Sequence, residues 1–161
     1  MEARLDIRHV PPGAMKAMMG LGGYLAGSGL APELIDLIHL RVSQINGCAY
    51  CVDMHSKDLR ARGETEQRLY LLDAWREAPF YSDRERAALA WAEAVTRLSD
   101  GQVSDEVYAQ VRSQFSEEEI VNLTLAVVTI NSWNRLNIAF RTVAGSYQPP
   151  TTGRVAAGAK K

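Results

Sequence analysis

Residues 32–55 read Pro32-Glu33-Leu34-Ile35-Asp36-Leu37-Ile38-His39-Leu40-Arg41-Val42-Ser43-Gln44-Ile45-Asn46-Gly47-Cys48-Ala49-Tyr50-Cys51-Val52-Asp53-Met54-His55, and this stretch decides the fold. Pro32 suits a first helical turn, and the apolar residues from Leu34 to Ile45 leave little polar face, so the spacing predicts a helix buried on most sides. Asn46-Gly47 supplies a left-handed stop. A second helix then opens at Cys48 and runs to about Arg62-Gly63, placing both cysteines near its start.

Working outward, helical spacing recurs and no clean period-two alternation appears, which predicts an all-α, single-domain bundle of about six to seven helices. Ala14 to Leu25 forms a small-residue helix after Pro11-Pro12. Thr65 to Arg76 reads as another, broken by Pro79. Ser82 with Glu85, and Ser116 with Glu119, have capping-box spacing at the starts of two later helices. The first of these runs to about Leu98, and a helix over Ser104 to Phe115 separates them. The last extends to about Val143 and looks central. The domain is expected over residues 1–145. Residues 146–161, with Pro149-Pro150-Thr151-Thr152-Gly153 and a terminal Lys160-Lys161, read as a disordered tail.

The bulk properties exclude several function classes. The chain has 161 residues, 47% hydrophobic and 23% charged, with eighteen Lys and Arg against nineteen Asp and Glu. The formal net charge of −1 gives no field for nucleic acid or an anionic membrane. Neither a long apolar run nor a basic-then-apolar start is present, so a soluble cytoplasmic protein is expected. The two cysteines are too close in sequence to staple a fold, and chemistry explains the pair better than architecture.

With about 100° per residue and Cys48 as origin, Cys51 falls near 300° and His55 near 340°, all on one face. Cys48 and Cys51, three residues apart, lie within disulfide reach. Cys51 and His55 are one turn apart, so the imidazole can serve the thiol as a base, which gives Cys51 the better claim to nucleophile. The positive end of the helix favours thiolate at both sulfurs. Asp36, folded back across Asn46-Gly47, is a candidate to orient His55. Its competing reading is a solvated or Arg41-paired carboxylate. For the motif itself the competing readings are a pair of inert core cysteines with a surface His, or half of a zinc site, against which stand the lack of a third cysteine and the presence of only His9 and His39 as other histidines. Asn131 and Asn134, inside an apolar run, need partners and read first as helix-capping or subunit-contact residues, and second as lining the site.

The run from Leu37 to His55, above all Arg41 to Cys51 with His55, resembles the alkylhydroperoxidase D-like branch of the carboxymuconolactone decarboxylase superfamily. Ala74-Trp75-Arg76, Glu85 to Glu93 and Asn131-Ser132-Trp133-Asn134-Arg135 resemble that branch's later helices, extending the likeness over roughly residues 10–145. The resemblance implies a helical subunit that assembles as a homotrimer or homohexamer. It implies a peroxidase that cycles two cysteines between dithiol and disulfide, with no metal or organic cofactor. Carried over, Cys51 attacks a hydroperoxide, Cys48 resolves the sulfenic acid, and His55 and Asp36 relay protons. An external dithiol, lipoyl or thioredoxin-like, would complete the cycle. Two positions depart from the family pattern: Asp36 stands where Glu is usual, and Tyr50 where a second His is usual. Glu93 is the alternative carboxylate, and Tyr50 is a candidate pocket residue. A lactone decarboxylase and a redox-sensing module are the remaining alternatives.

Overall fold

The computed structural model describes residues 2–9 and 12–150, and among these residues every regular element is helical. Seven α-helices follow in chain order: α1 (Pro12–Ala26), α2 (Pro32–Asn46), α3 (Ala49–Ala61), α4 (Glu66–Tyr70), α5 (Asp83–Thr96), α6 (Asp105–Arg112) and α7 (Glu117–Phe140). Short 3-10 turns lie at Ile7–His9, Leu72–Ala74 and Leu98–Asp100. No helix is long and apolar enough to cross a membrane among the described residues.

Local signals set most helix ends. Gly47, at φ 69°, closes α2 in the left-handed region that glycine adopts without penalty. Ser82 and Ser116 each accept from the backbone N–H three residues on, while Glu85 and Glu119 reach back to the cap amide. Each such cap contributes about 1 kcal/mol.

Four expected boundaries change, the first being the helix expected to reach Phe115, which ends at Arg112. The helix expected over Thr65 to Arg76 is only α4, because the chain tightens into a 3-10 turn that buries Leu72 and Trp75. The chain leaves α5 before Leu98, which stands 60% exposed in its own 3-10 turn. The last helix stops at Phe140, with Arg141 in the left-handed region and the Thr142 N–H donating to the Asn137 carbonyl. Of the expected tail, residues 151–161 lie outside the described residues. Tyr147 is docked: its hydroxyl donates to Asp58 Oδ1 at 2.7 Å and its carbonyl accepts from Lys57 Nζ at 3.0 Å.

Helix α2 sits at the centre, packed against α3, α5 and α7. One apolar cluster joins Leu34, Ile38 and Val42 of α2 to Leu123, Val127 and Ile130 of α7, and both cysteines belong to it. A second joins Leu37 and Leu40 to Leu59, Leu72 and Trp75. Each fully buried Leu or Ile contributes about 1.5–3 kcal/mol relative to exposure. The start of α3 is therefore clamped between two packed layers.

Candidate active site

Cys48 occupies the N-cap position of α3 and Cys51 its first turn, both 1% exposed. The two thiols are unbridged and hydrogen-bonded to each other. They hold their first negative charge unequally. The Cys51 thiol, together with the backbone amides of Cys51 and Tyr50 and the Asn134 side chain, pulls Cys48 down to about 7 against the opposition of burial. By donating that bond, and by its own burial, Cys51 is pushed above its ordinary value. The helix start was expected to favour thiolate at both sulfurs; the neighbouring thiol is the larger cause, and it acts in opposite directions on the two.

Access differs in the same asymmetric way. A cavity of about 590 Å³ is walled mainly by apolar side chains, among them Leu5, Ile7, Met54, Ile130 and Trp133. Cys51, His55 and Tyr50 line it, and Cys48 does not. The sulfur that holds the charge lies behind the sulfur that meets the cavity. Transfer of the single shared proton moves the anion to the open position.

His55, the expected partner of Cys51, lines the same cavity. His55 is 6% exposed, and its Nδ1 faces Asp36 Oδ1 at 3.7 Å, longer than a hydrogen bond. Asp36 Oδ2 lies 3.0 Å from Arg62 Nε. The Arg41 pairing considered for Asp36 does not occur. Arg41 instead donates to Glu93 Oε1 at 2.7 Å and bonds Asp73. Glu93 also accepts from Trp75 Nε1 at 2.9 Å and Arg76 at 2.6 Å. That buried carboxylate, 4% exposed, is no surface acid and does not line the cavity. Burial opposes its ionisation, yet its three donors hold it below the usual carboxylate range.

The asparagines of α7 form a polar seam against the cysteines. Asn134 Nδ2 donates to Ser43 Oγ at 3.0 Å, and Asn46 Nδ2 donates to Asn134 Oδ1 at 2.8 Å and Asn131 Oδ1 at 3.0 Å. Asn131 in turn donates to Thr96 Oγ1 at 3.1 Å, tying the ends of α2 and α5 together. One turn further, Asn137 Nδ2 lies 3.4 Å from Cys51 Sγ and donates to it. Sequence reasoning missed Asn137, and it weighed His39 only as a metal ligand beside the cysteines, whereas its ring meets that of His55 edge-to-face with centroids 5.0 Å apart. The recoverable signals were spacings of three: Asn134 with Asn137, and Asp36 with His39.

Comparisons with known proteins agree with this architecture. The profile of the Carboxymuconolactone decarboxylase family matches residues 12–94. The uncharacterized protein YdfG of Bacillus subtilis is 45% identical over 146 residues, spanning 91% of this chain and 99% of YdfG. A protein of unknown function from Agrobacterium tumefaciens, provisionally assigned as the antioxidant defence protein AhpD, has a crystal structure that superposes with a TM-score of 0.87. It is 43% identical, over 91% of this chain and all of that one. The debrominase Bmp8, solved with 2,3,4-tribromopyrrole, superposes at 0.75 over 84% of this chain and 72% of its own, and at 23% identity that likeness is one of fold.

Proposed function

The chain belongs to the carboxymuconolactone decarboxylase family with an AhpD-like helical fold, and from that premise we propose that it is a thiol-dependent peroxidase that reduces organic hydroperoxides through Cys51 and Cys48. The observation that carries this reading is the hydrogen-bonded dithiol at the start of α3, with only Cys51 open to an apolar cavity that His55 also lines. Apolar walls favour a substrate with a hydrocarbon body over hydrogen peroxide.

The cycle balances without a cofactor. The shared proton passes to Cys48, and the Cys51 thiolate attacks the distal oxygen of the hydroperoxide. The O–O bond breaks, the alkoxide takes a proton supplied through His55, and Cys51 becomes a sulfenic acid. Cys48 then attacks the Cys51 sulfur, the disulfide forms and water leaves. An external dithiol, lipoyl or thioredoxin-like, returns two electrons and two protons. Asp36 orients His55 for that transfer. A homotrimer or homohexamer is the proposed assembly, supported by exposed apolar side chains on α7 such as Val121, Val128 and Ile138.

The deciding experiment is consumption of cumene hydroperoxide by reduced protein with dihydrolipoamide, comparing wild type with Cys51→Ser and Cys48→Ser. Turnover lost in both variants supports the proposal. Lactone decarboxylation that survives Cys51→Ser moves the assignment to a decarboxylase. A disulfide that forms and reduces normally without turnover moves it to a redox-sensing module.

A further inference from the structure

At the cavity that Cys51 meets, three side chains converge without satisfying one another. Asp36 and His39, three residues apart on α2, share one face of that helix, and His55 meets them from α3. A carboxylate oxygen of Asp36 and one nitrogen from each imidazole all lie within 4.8 Å of one another. His39 Nε2 and His55 Nδ1 are buried and have no hydrogen-bond partner among the described residues. Buried polar atoms are nearly always paired, so two orphaned nitrogens facing one carboxylate require an explanation.

We propose that Asp36, His39 and His55 form a binding site for a divalent cation of the zinc type. Two imidazoles and one carboxylate are a donor set suited to zinc, whereas calcium and magnesium prefer oxygen throughout. The surrounding contacts fit ligation. The other nitrogen of His39 faces the backbone carbonyl of Ala126, which fixes its hydrogen there and turns the Nε2 lone pair toward the other two groups. Arg62 Nε pairs with Asp36 Oδ2 at 3.0 Å and leaves Oδ1 directed at His55. Bonds of about 2.0–2.2 Å in a tetrahedron bring donor atoms roughly 3.4 Å apart, so closing on an ion needs side-chain movements of about an ångström. His39 and His55 both line the cavity, which gives an ion a route in and leaves a fourth position open on that side.

Resting on the peroxidase reading, the site acts as a brake. A cation on His55 Nδ1 bars protonation of that nitrogen, so the ring cannot become the imidazolium that gives the alkoxide its proton, and it also neutralises Asp36. Metal binding and peroxide turnover are then mutually exclusive at one imidazole.

The test is zinc titration by calorimetry on the Cys48→Ser/Cys51→Ser double variant, which removes the thiols as competing ligands. One equivalent is expected to bind, and adding His39→Gln is expected to weaken it at least about tenfold, with circular dichroism confirming that the variants fold. Cobalt in the double variant should give a tetrahedral visible spectrum without thiolate charge transfer and should shift both His39 and His55 ring resonances. That measurement decides the matter should His39→Gln fail to fold. Absence of binding in the double variant, binding indifferent to His39→Gln, or ring resonances unmoved by cobalt would overturn the site. Should wild type bind zinc here yet turn over no peroxide, the site stands and the peroxidase reading with its brake falls. Zinc inhibition of turnover that His39→Gln leaves unchanged would overturn the brake alone.

Discussion

The side-chain amide of Asn137 donates to Cys51 Sγ across 3.4 Å, linking the last helix to the cavity-facing thiol of α3. An amide aimed at sulfur stabilises the thiolate more than the thiol, because hydrogen bonds to charged groups are the stronger ones. Asn137→Ala is expected to slow alkylation of Cys51 by iodoacetamide by about tenfold at neutral pH, near the lower end of what such a bond contributes. Unchanged alkylation kinetics would show that the contact is packing alone.

The charge shared by the two thiols has its own signature in pH. Cys48 lies at about 7, lowered chiefly by the Cys51 thiol. The reduced protein should therefore develop ultraviolet thiolate absorbance as pH rises through about 7, with one thiolate per chain. In Cys51→Ala the principal cause disappears while burial remains, so the step should move up to the ordinary value near 9 or beyond. A step that stays near neutrality would assign the lowering to the backbone amides instead.

The sequence made much of this site legible. The Asn46-Gly47 stop, the Cys-x-x-Cys spacing and the i, i+4 placement of His55 are local, and local rules suffice for them. So are the two capping boxes. Asn137 was not legible, because an amide in an apolar run acquires its meaning only when α7 crosses α3. Arg41 shows the same limit. On α2 it stands five residues from Asp36, yet its guanidinium turns to Glu93 and Asp73, partners from α5 and the 3-10 turn that replaced the second half of the helix expected over 65–76.

Glu93 anchors that turn, and it should contribute to acid stability. Its pKa is depressed in the folded chain, so its contribution is present above the unfolded value of 4.5 and is lost as pH falls through the lower folded value. Glu93→Gln leaves Arg41 without its buried charge partner, the exposed Asp73 alone remaining, at a cost of about 3 kcal/mol, or roughly 6–12 °C in Tm. The melting temperature at neutral pH checks the first part. The second is checked by the variant losing less stability than wild type between about pH 5 and 3, a flatter acid limb on the order of that expected for one carboxylate.

Asp36 allows a sharper comparison, since it acts on the chemistry through His55. Asp36→Asn is expected to lower peroxide turnover about tenfold or more, within the range for general acid–base support, and to shift the pH profile. Asp36→Glu restores the longer side chain and should retain activity. Equal losses in both, with an unmoved pH profile, would make Asp36 a partner of Arg62 only.

The cavity draws its walls from segments far apart in the chain. Ala3, Leu5 and Ile7 come from the stretch before α1, held by the Arg4 N–H donating to the Phe140 carbonyl at 2.9 Å, and Thr142, Val143 and Ser146 follow α7. The thiols, His55 and Asp36 all fall within residues 12–94, the stretch that matches the family, and these wall residues fall outside it. The thiols and their acid–base partners thus lie in one part of the chain, while a share of the cavity wall comes from the segments that flank it. Substrate range can drift through changes in the flanking segments while the buried reaction centre keeps its packing, so two relatives that share every reacting group can differ in what they admit.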